Sequence, residues 1–147
     1  MSSQTLTMDN RRGVLAVLDG QANDQAAVWI IACLCAQWCD VCCASRDGFD
    51  RFAARHPDKQ FVWVDIEDHA DVVGDLDVEN FPTLLIQHGN TVAFYGTIMP
   101  DWNQANRLLE AQLAKDADFL TQEASSTAER IRWQAENNLR HRLRESL

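Results

Sequence analysis

Ten consecutive apolar residues, Ala27 to Ala36 (AVWIIACLCA), run straight into a cluster of cysteines. A strand apolar at every position has no face for water, so this run predicts a central strand covered by helices on both sides. Beyond Cys42, the residues Ala44, Phe49, Phe52 and Ala53 keep partial helical spacing. His56-Pro57 closes that helix, because the residue before proline disfavours helical backbone, and Gly48 is where a bend is expected. Gln60 to Ile66 (QFVWVDI) is the next strand. Two strands joined through a helix make a parallel βαβ unit with a right-handed crossover.

Asp68 to Val78 is expected to be a short helix. Thr83–Ile86 and Thr91–Tyr95 then flank Gln87-His88-Gly89-Asn90, where glycine and asparagine accept positive φ, so an antiparallel hairpin follows. Pro100-Asp101 opens a helix with Ala105, Leu108, Leu109, Gln112 and Leu113 on one face. From Leu120 onward, Ala124, Ala128, Ile131, Ala135, Leu139 and Leu143 recur every three or four residues, the pattern of an amphipathic helix. That stripe can pack on its own domain or serve self-association and partner docking. The expected organisation is an N-terminal segment over 1–26, a domain over 27–116 and a helical extension over 117–147. Because the core is expected to be complete by about Leu113, the extension is expected to be removable without unfolding the rest.

The formal net charge is −9. Such a surface repels phosphate backbones and anionic lipid headgroups, which argues against nucleic-acid and membrane partners. The tail departs from this balance, with five arginines against four glutamates (Arg130, Arg132, Arg140, Arg142, Arg144; Glu123, Glu129, Glu136, Glu145). No stretch reaches the roughly 18 apolar residues of a membrane span and Met1–Gly20 lacks a signal-like run, so the expected location is cytoplasmic. All five cysteines fall between Cys33 and Cys43, a local site rather than a framework of staples.

Cys39-Asp40-Val41-Cys42 places two sulfurs one helical turn apart. The first can sit at the helix N-terminus, where unpaired N–H groups and the helix dipole favour a thiolate, and the second can resolve a mixed disulfide. Ala36-Gln37-Trp38-Cys39-Asp40-Val41-Cys42 resembles the active-site segment of the thioredoxin family, and Phe81-Pro82-Thr83-Leu84-Leu85 resembles its cis-proline segment. His88-Gly89-Asn90-Thr91-Val92 is similar to the hairpin that follows, and Gly96 sits where the family has a glycine after its last strand. The resemblance covers about Ala27 to Leu113 and suggests a divergent bacterial-type thioredoxin.

It implies an α/β fold, a thioredoxin-like three-layer sandwich around a central mixed β-sheet, here with a C-terminal helical extension. It implies a thiol-disulfide oxidoreductase with Cys39 as nucleophile and Cys42 as resolving thiol, and with Trp38, Phe81 and Pro82 at a substrate groove. Protein thiols and disulfides and a reductase or oxidant are the partners it implies, with no cofactor and no metal. Pro82 would lie against the cysteine pair, leaving the Phe81 backbone to pair with an extended substrate.

Asp40-Val41 replaces the family's usual Gly-Pro, and the Asp40 carboxylate is expected to disfavour a thiolate on Cys39. Cys33 stands where many members carry a buried acid, and Cys35 where they carry an aromatic. Strand alternation puts Cys33 and Cys35 on one face, both toward the region beneath Cys42. Cys33, Cys35 and Cys43 are then small buried apolar residues, secondary disulfide partners or a metal site. A thioredoxin-fold binding or chaperone module is the alternative function. His56, His69, His88 and His141 read as surface histidines, and Asp65, Glu67, Asp68, Asp71, Asp75, Asp77 and Glu79 as a solvated acidic face.

Overall fold

A computed structural model describes residues 4–20, 28–36, 39–73, 82–98 and 101–147. The apolar run becomes β2 (Trp29–Cys35), and the chain reads β1 (Gln4–Thr5), α1 (Arg11–Asp19), β2, α2 (Asp40–Ala54), β3 (Gln60–Asp65) and α3 (Ala70–Val73) in its first half. β4 (Thr83–His88), β5 (Thr91–Thr97), α4 (Trp102–Leu113), α5 (Ala117–Glu123), α6 (Ala128–Glu136) and α7 (Leu139–Glu145) complete it. The sheet order is β1-β3-β2-β4-β5. β1, β3 and β2 run parallel, and β4 and β5 are each antiparallel to the strand before them in that order. This is the expected mixed sheet, with β2 between β3 and β4. The hairpin turn is tighter than the sequence suggests, because the strands extend to His88 and resume at Thr91, with Gly89 at φ 59°.

Alternation along β2 sorts its side chains into two cores. Ile31, Cys33 and Cys35 face α2 and α4, joining Phe49, Phe52, Phe61, Trp63, Ala105 and Leu109. Ile30, Ala32 and Leu34 face the opposite layer, with Val14, Leu15 and Leu18 of α1, Val72 of α3, and Trp133, Leu139 and Leu143 of the C-terminal helices. Both faces are therefore closed, as a strand apolar throughout requires.

Gly48 does not interrupt α2, which runs unbroken from Asp40 to Ala54. The glycine serves close packing instead, since a Cβ there would stand 2.1 Å from the Trp102 indole of α4. Of the short helix expected over Asp68–Val78, α3 occupies Ala70–Val73, and residues 74–81 lie outside the described residues.

The sheet and its cores reach outside 27–116 at both ends. β1 pairs with β3 through Gln4 and Thr5, and α1 contributes core residues. The continuous tail helix expected from periodicity is three short helices. Asp116, Thr127 and Asn138 each begin one, accepting hydrogen bonds from the N–H groups of Phe119, Arg130 and His141. The breaks carry the chain around β5. Leu120 of α5 packs into the cysteine-bearing core, and Trp133, Leu139 and Leu143 pack into the opposite one. Between them the Gln134 amide accepts from the Val92 N–H and donates to the Val92 carbonyl, both at 2.8 Å. Arg140 and Arg144 reach Asp19 of α1 at 2.9 and 2.7 Å, so part of the tail's positive charge is spent within the molecule. Side chains of the extension thus form part of both cores.

Candidate functional site

β2 ends at Cys35, and α2 begins five residues later, so the helix folds back directly over the strand it follows. That return brings Cys42, one turn into α2, onto Cys35, with 5.5 Å between the Cα atoms and a disulfide between the sulfurs. Both residues are 1% exposed. Cys33, two positions earlier on the same strand face, lies with its sulfur 4.0 Å from that of Cys35 and is fully buried. Burial pushes the pKa of its thiol far up, with the Arg46 charge acting in the opposite sense.

Cys39 occupies the N-cap of α2 in extended backbone, and no side-chain hydrogen bond caps the helix there. Its N–H donates to the Ala36 carbonyl at 3.0 Å and its carbonyl accepts from the Cys43 N–H at 3.0 Å. The backbone is therefore held at both ends while the half-buried side chain packs at the margin of the cysteine-bearing core. Asp40 and Val41 are exposed beside it, Val41 at 47%. A cleft of about 530 Å³ opens on the other side, lined in part by Cys42, Cys43, Arg46 and Trp63. Arg46 lies over the Trp63 ring at 4.8 Å and donates to the Thr5 hydroxyl at 2.6 Å, tying α2 to β1 and β3.

The thioredoxin family model matches residues 18–109, which takes in β2, the cysteine cluster, the hairpin and most of α4. The chain belongs to the thioredoxin family. Thioredoxin from Mycoplasma genitalium is 31% identical over 51 residues, 35% of this chain, and the match spans 50% of that relative's own length. Among solved structures, the short form of thioredoxin f from spinach chloroplast superposes with a TM-score of 0.61 at 16% identity, covering 77% of this chain and 95% of that one. Thioredoxin from Trypanosoma brucei brucei gives 0.59 at 16% identity, covering 78% and 93%. At such identity the structural likeness speaks for the thioredoxin fold alone.

Within that fold the predicted site residues separate. Trp38 and Phe81 lie outside the described residues. Pro82 is buried just before β4, where its carbonyl accepts from the Ile98 N–H at 3.1 Å. The disulfide joins Cys42 to Cys35 rather than to Cys39, so of the alternatives left open for Cys35, the secondary disulfide partner is the one observed. Cys43 is exposed on α2, not buried. Among the described residues no group of three or more histidine, cysteine, aspartate or glutamate side chains is arranged to hold a metal ion.

Arg46 is the neighbour that pattern reading missed; its place four residues after Cys42 was the available signal, since such positions share a helix face. His69 is also a correction, being 1% exposed. The Arg11 guanidinium donates to its Nδ1 at 2.8 Å, which leaves Nε2 to donate to the Leu6 carbonyl at 2.8 Å. Arg11, itself 4% exposed, is held by Asp71 at 2.6 Å, so that acid serves a buried cation as well as the solvated face.

Proposed function

We propose that this chain is a thiol-disulfide oxidoreductase acting on protein disulfides, with Cys39 as the attacking thiol and Cys42 as the resolving one. The observation that carries this reading is the position of Cys39 at the N-cap of α2, half-exposed, with Cys42 one turn further along, inside the stretch that the thioredoxin family model matches. The Cys39 thiolate attacks one sulfur of a substrate disulfide, giving a mixed disulfide and releasing the first substrate thiol. Cys42, as a thiolate, then attacks Cys39, forming the Cys39–Cys42 bond and releasing the second. Cys42 must be reduced to act, so the form with Cys35 bonded to Cys42 is an oxidised one that a reductase has to recharge. One of the structural neighbours is a thioredoxin f2 in complex with ferredoxin:thioredoxin reductase, and a protein reductase of some kind is the partner this reading calls for.

The test is a trap. In a Cys42→Ser variant the resolving step is gone while attack remains, so disulfide-linked adducts through Cys39 should accumulate well above those of a Cys39→Ser control. Insulin reduction by the pre-reduced wild type should exceed the background rate. Equal adducts in both variants with background insulin turnover would leave the fold as a binding module.

A further inference from the structure

Two pairings meet at Cys42. Along the chain its partner is Cys39, at the start of the same helix; across the fold it is Cys35, bonded from β2. Resting on the exchange proposed above, we infer that Cys35 is a third redox-active cysteine, which takes Cys42 over from Cys39 after a substrate has been reduced.

The bonds balance in two stages. First, the Cys39 and Cys42 thiols reduce one substrate disulfide to two thiols, passing on two electrons and two protons, and remain as the Cys39–Cys42 disulfide. Next, the Cys35 thiol gives up its proton and attacks the Cys42 sulfur. The Cys35–Cys42 bond forms, the Cys39–Cys42 bond breaks, and the electron pair leaves on the Cys39 sulfur, which takes up a proton. The second stage is an isomerisation and needs no outside oxidant or reductant.

The observed pairing sets its direction. A lone sulfur at Cys35 would sit 1% exposed among apolar side chains, whereas at Cys39 it meets solvent at the head of α2. The pairing found in the structure is the one that bonds Cys35 to Cys42 and leaves Cys39, half-buried at the N-cap of α2, as the free thiol. Cys33, whose sulfur is 4.0 Å from that of Cys35 but which is not the residue bonded to Cys42, remains a thiol in this oxidised form. An ordinary CxxC couple loses its attacking thiol on oxidation; this one stores the oxidising equivalent inside and presents Cys39 as a thiol again.

The test maps the oxidised state. Full-length reduced protein is oxidised with one equivalent of diamide and quenched in acid. Its free thiols are blocked with light N-ethylmaleimide, its disulfides are reduced and labelled with the heavy reagent, and tandem mass spectrometry reads each cysteine. Light label on Cys39 should exceed heavy label severalfold, with heavy label on Cys35 and Cys42. Heavy label on Cys39 and Cys42 with light label on Cys35 overturns the inference. In Cys35→Ala, single-turnover insulin reduction should persist while the oxidised form carries heavy label on Cys39. Should that variant not fold, the wild-type map decides alone. Failure of pre-reduced wild type to reduce insulin sinks the exchange itself, whereas a Cys39–Cys42 map with insulin reduction intact sinks only the role of Cys35.

Discussion

One face of the sheet is lined by cysteines and aromatic rings, and the other by leucine, isoleucine and valine. On the first, Phe49 lies within 5.7 Å of Phe61, 5.6 Å of Trp63 and 5.8 Å of Trp102, ring centre to ring centre, above the strand that carries Cys33 and Cys35. On the second, aliphatic side chains of α1, β2 and β3 meet α7 and the indole of Trp133, set edge-on to Phe94 at 6.0 Å. The elements that supply the chemistry are close together in sequence, β2 and α2, while those that close the aliphatic face come from both ends of the chain. The contrast separates two jobs. The cysteine-bearing face packs α2 over β2, and the opposite face draws part of its burial from residues beyond the family segment, which ends at 109.

Opening the aliphatic face should have the largest effect. Truncation after Lys115 removes Trp133, Leu139 and Leu143 from that face and Leu120 from the other, all at most 9% exposed. At about 1.5–3 kcal/mol for each fully buried large side chain, the loss rivals the roughly 5–15 kcal/mol that holds a small domain together. The truncated chain should show no cooperative thermal transition by circular dichroism. A sharp transition close to that of the full-length protein would mean that the faces do not differ in this way.

A narrower change probes the other face. Glycine to alanine inside a helix ordinarily stabilises, by roughly 0.5–1 kcal/mol. At Gly48 the added Cβ meets the Trp102 indole at 2.1 Å, so the sign should reverse, with a loss of about 1–3 kcal/mol read from the urea midpoint. A stabilised Gly48→Ala protein would show that α2 and α4 slide apart at no cost, and that the aromatic face is looser than the aliphatic one.

The smallest effect belongs to the ion pair that anchors α1. Arg11, hydrogen-bonded to Asp71, holds that carboxyl down at about 2 from an ordinary 3.8. A carboxylate whose pKa is depressed by folding adds stability above its unfolded value, and that stability fades as pH falls. The loss should therefore develop between about pH 4 and pH 2. Because Asp71 is 55% exposed, the contribution is modest. Asp71→Asn should melt slightly below wild type at neutral pH, and the gap should close over that acid window. A gap constant down to pH 2 would remove Asp71 from the acid response.

Much of this layout was legible in sequence, because its signals are local. The apolar run Ala27–Ala36 read as a strand covered on both faces, as β2 (Trp29–Cys35) is, and Gly89 between two β-rich runs read as a hairpin turn. Parity along β2 also placed Cys33 and Cys35 under Cys42, although the choice among partners for Cys35 waited on how far α2 folds back. What escaped depended on distance or on continuity of pattern. Arg11 and His69 meet across 58 residues, and nothing near His69 distinguishes it from a surface histidine. The tail's apolar stripe keeps its spacing across two breaks, so periodicity reported one helix, while the capping residues Thr127 and Asn138 that divide it carried the better signal.

The contact between Gln134 and Val92 has a consequence for the protein's behaviour in a crowded solution. β5 is the last strand of the sheet, and its outward N–H and C=O groups are a template on which another chain could add a strand. The Gln134 amide occupies both groups of Val92 and the Arg130 guanidinium approaches the Ala93 carbonyl at 3.4 Å, so side chains of α6 stand where an incoming backbone would pair. At the far edge, the described part of β1 pairs with β3 through Gln4 and Thr5. The same tail that completes the core thus also stands in the way of strand addition at Val92 and Ala93.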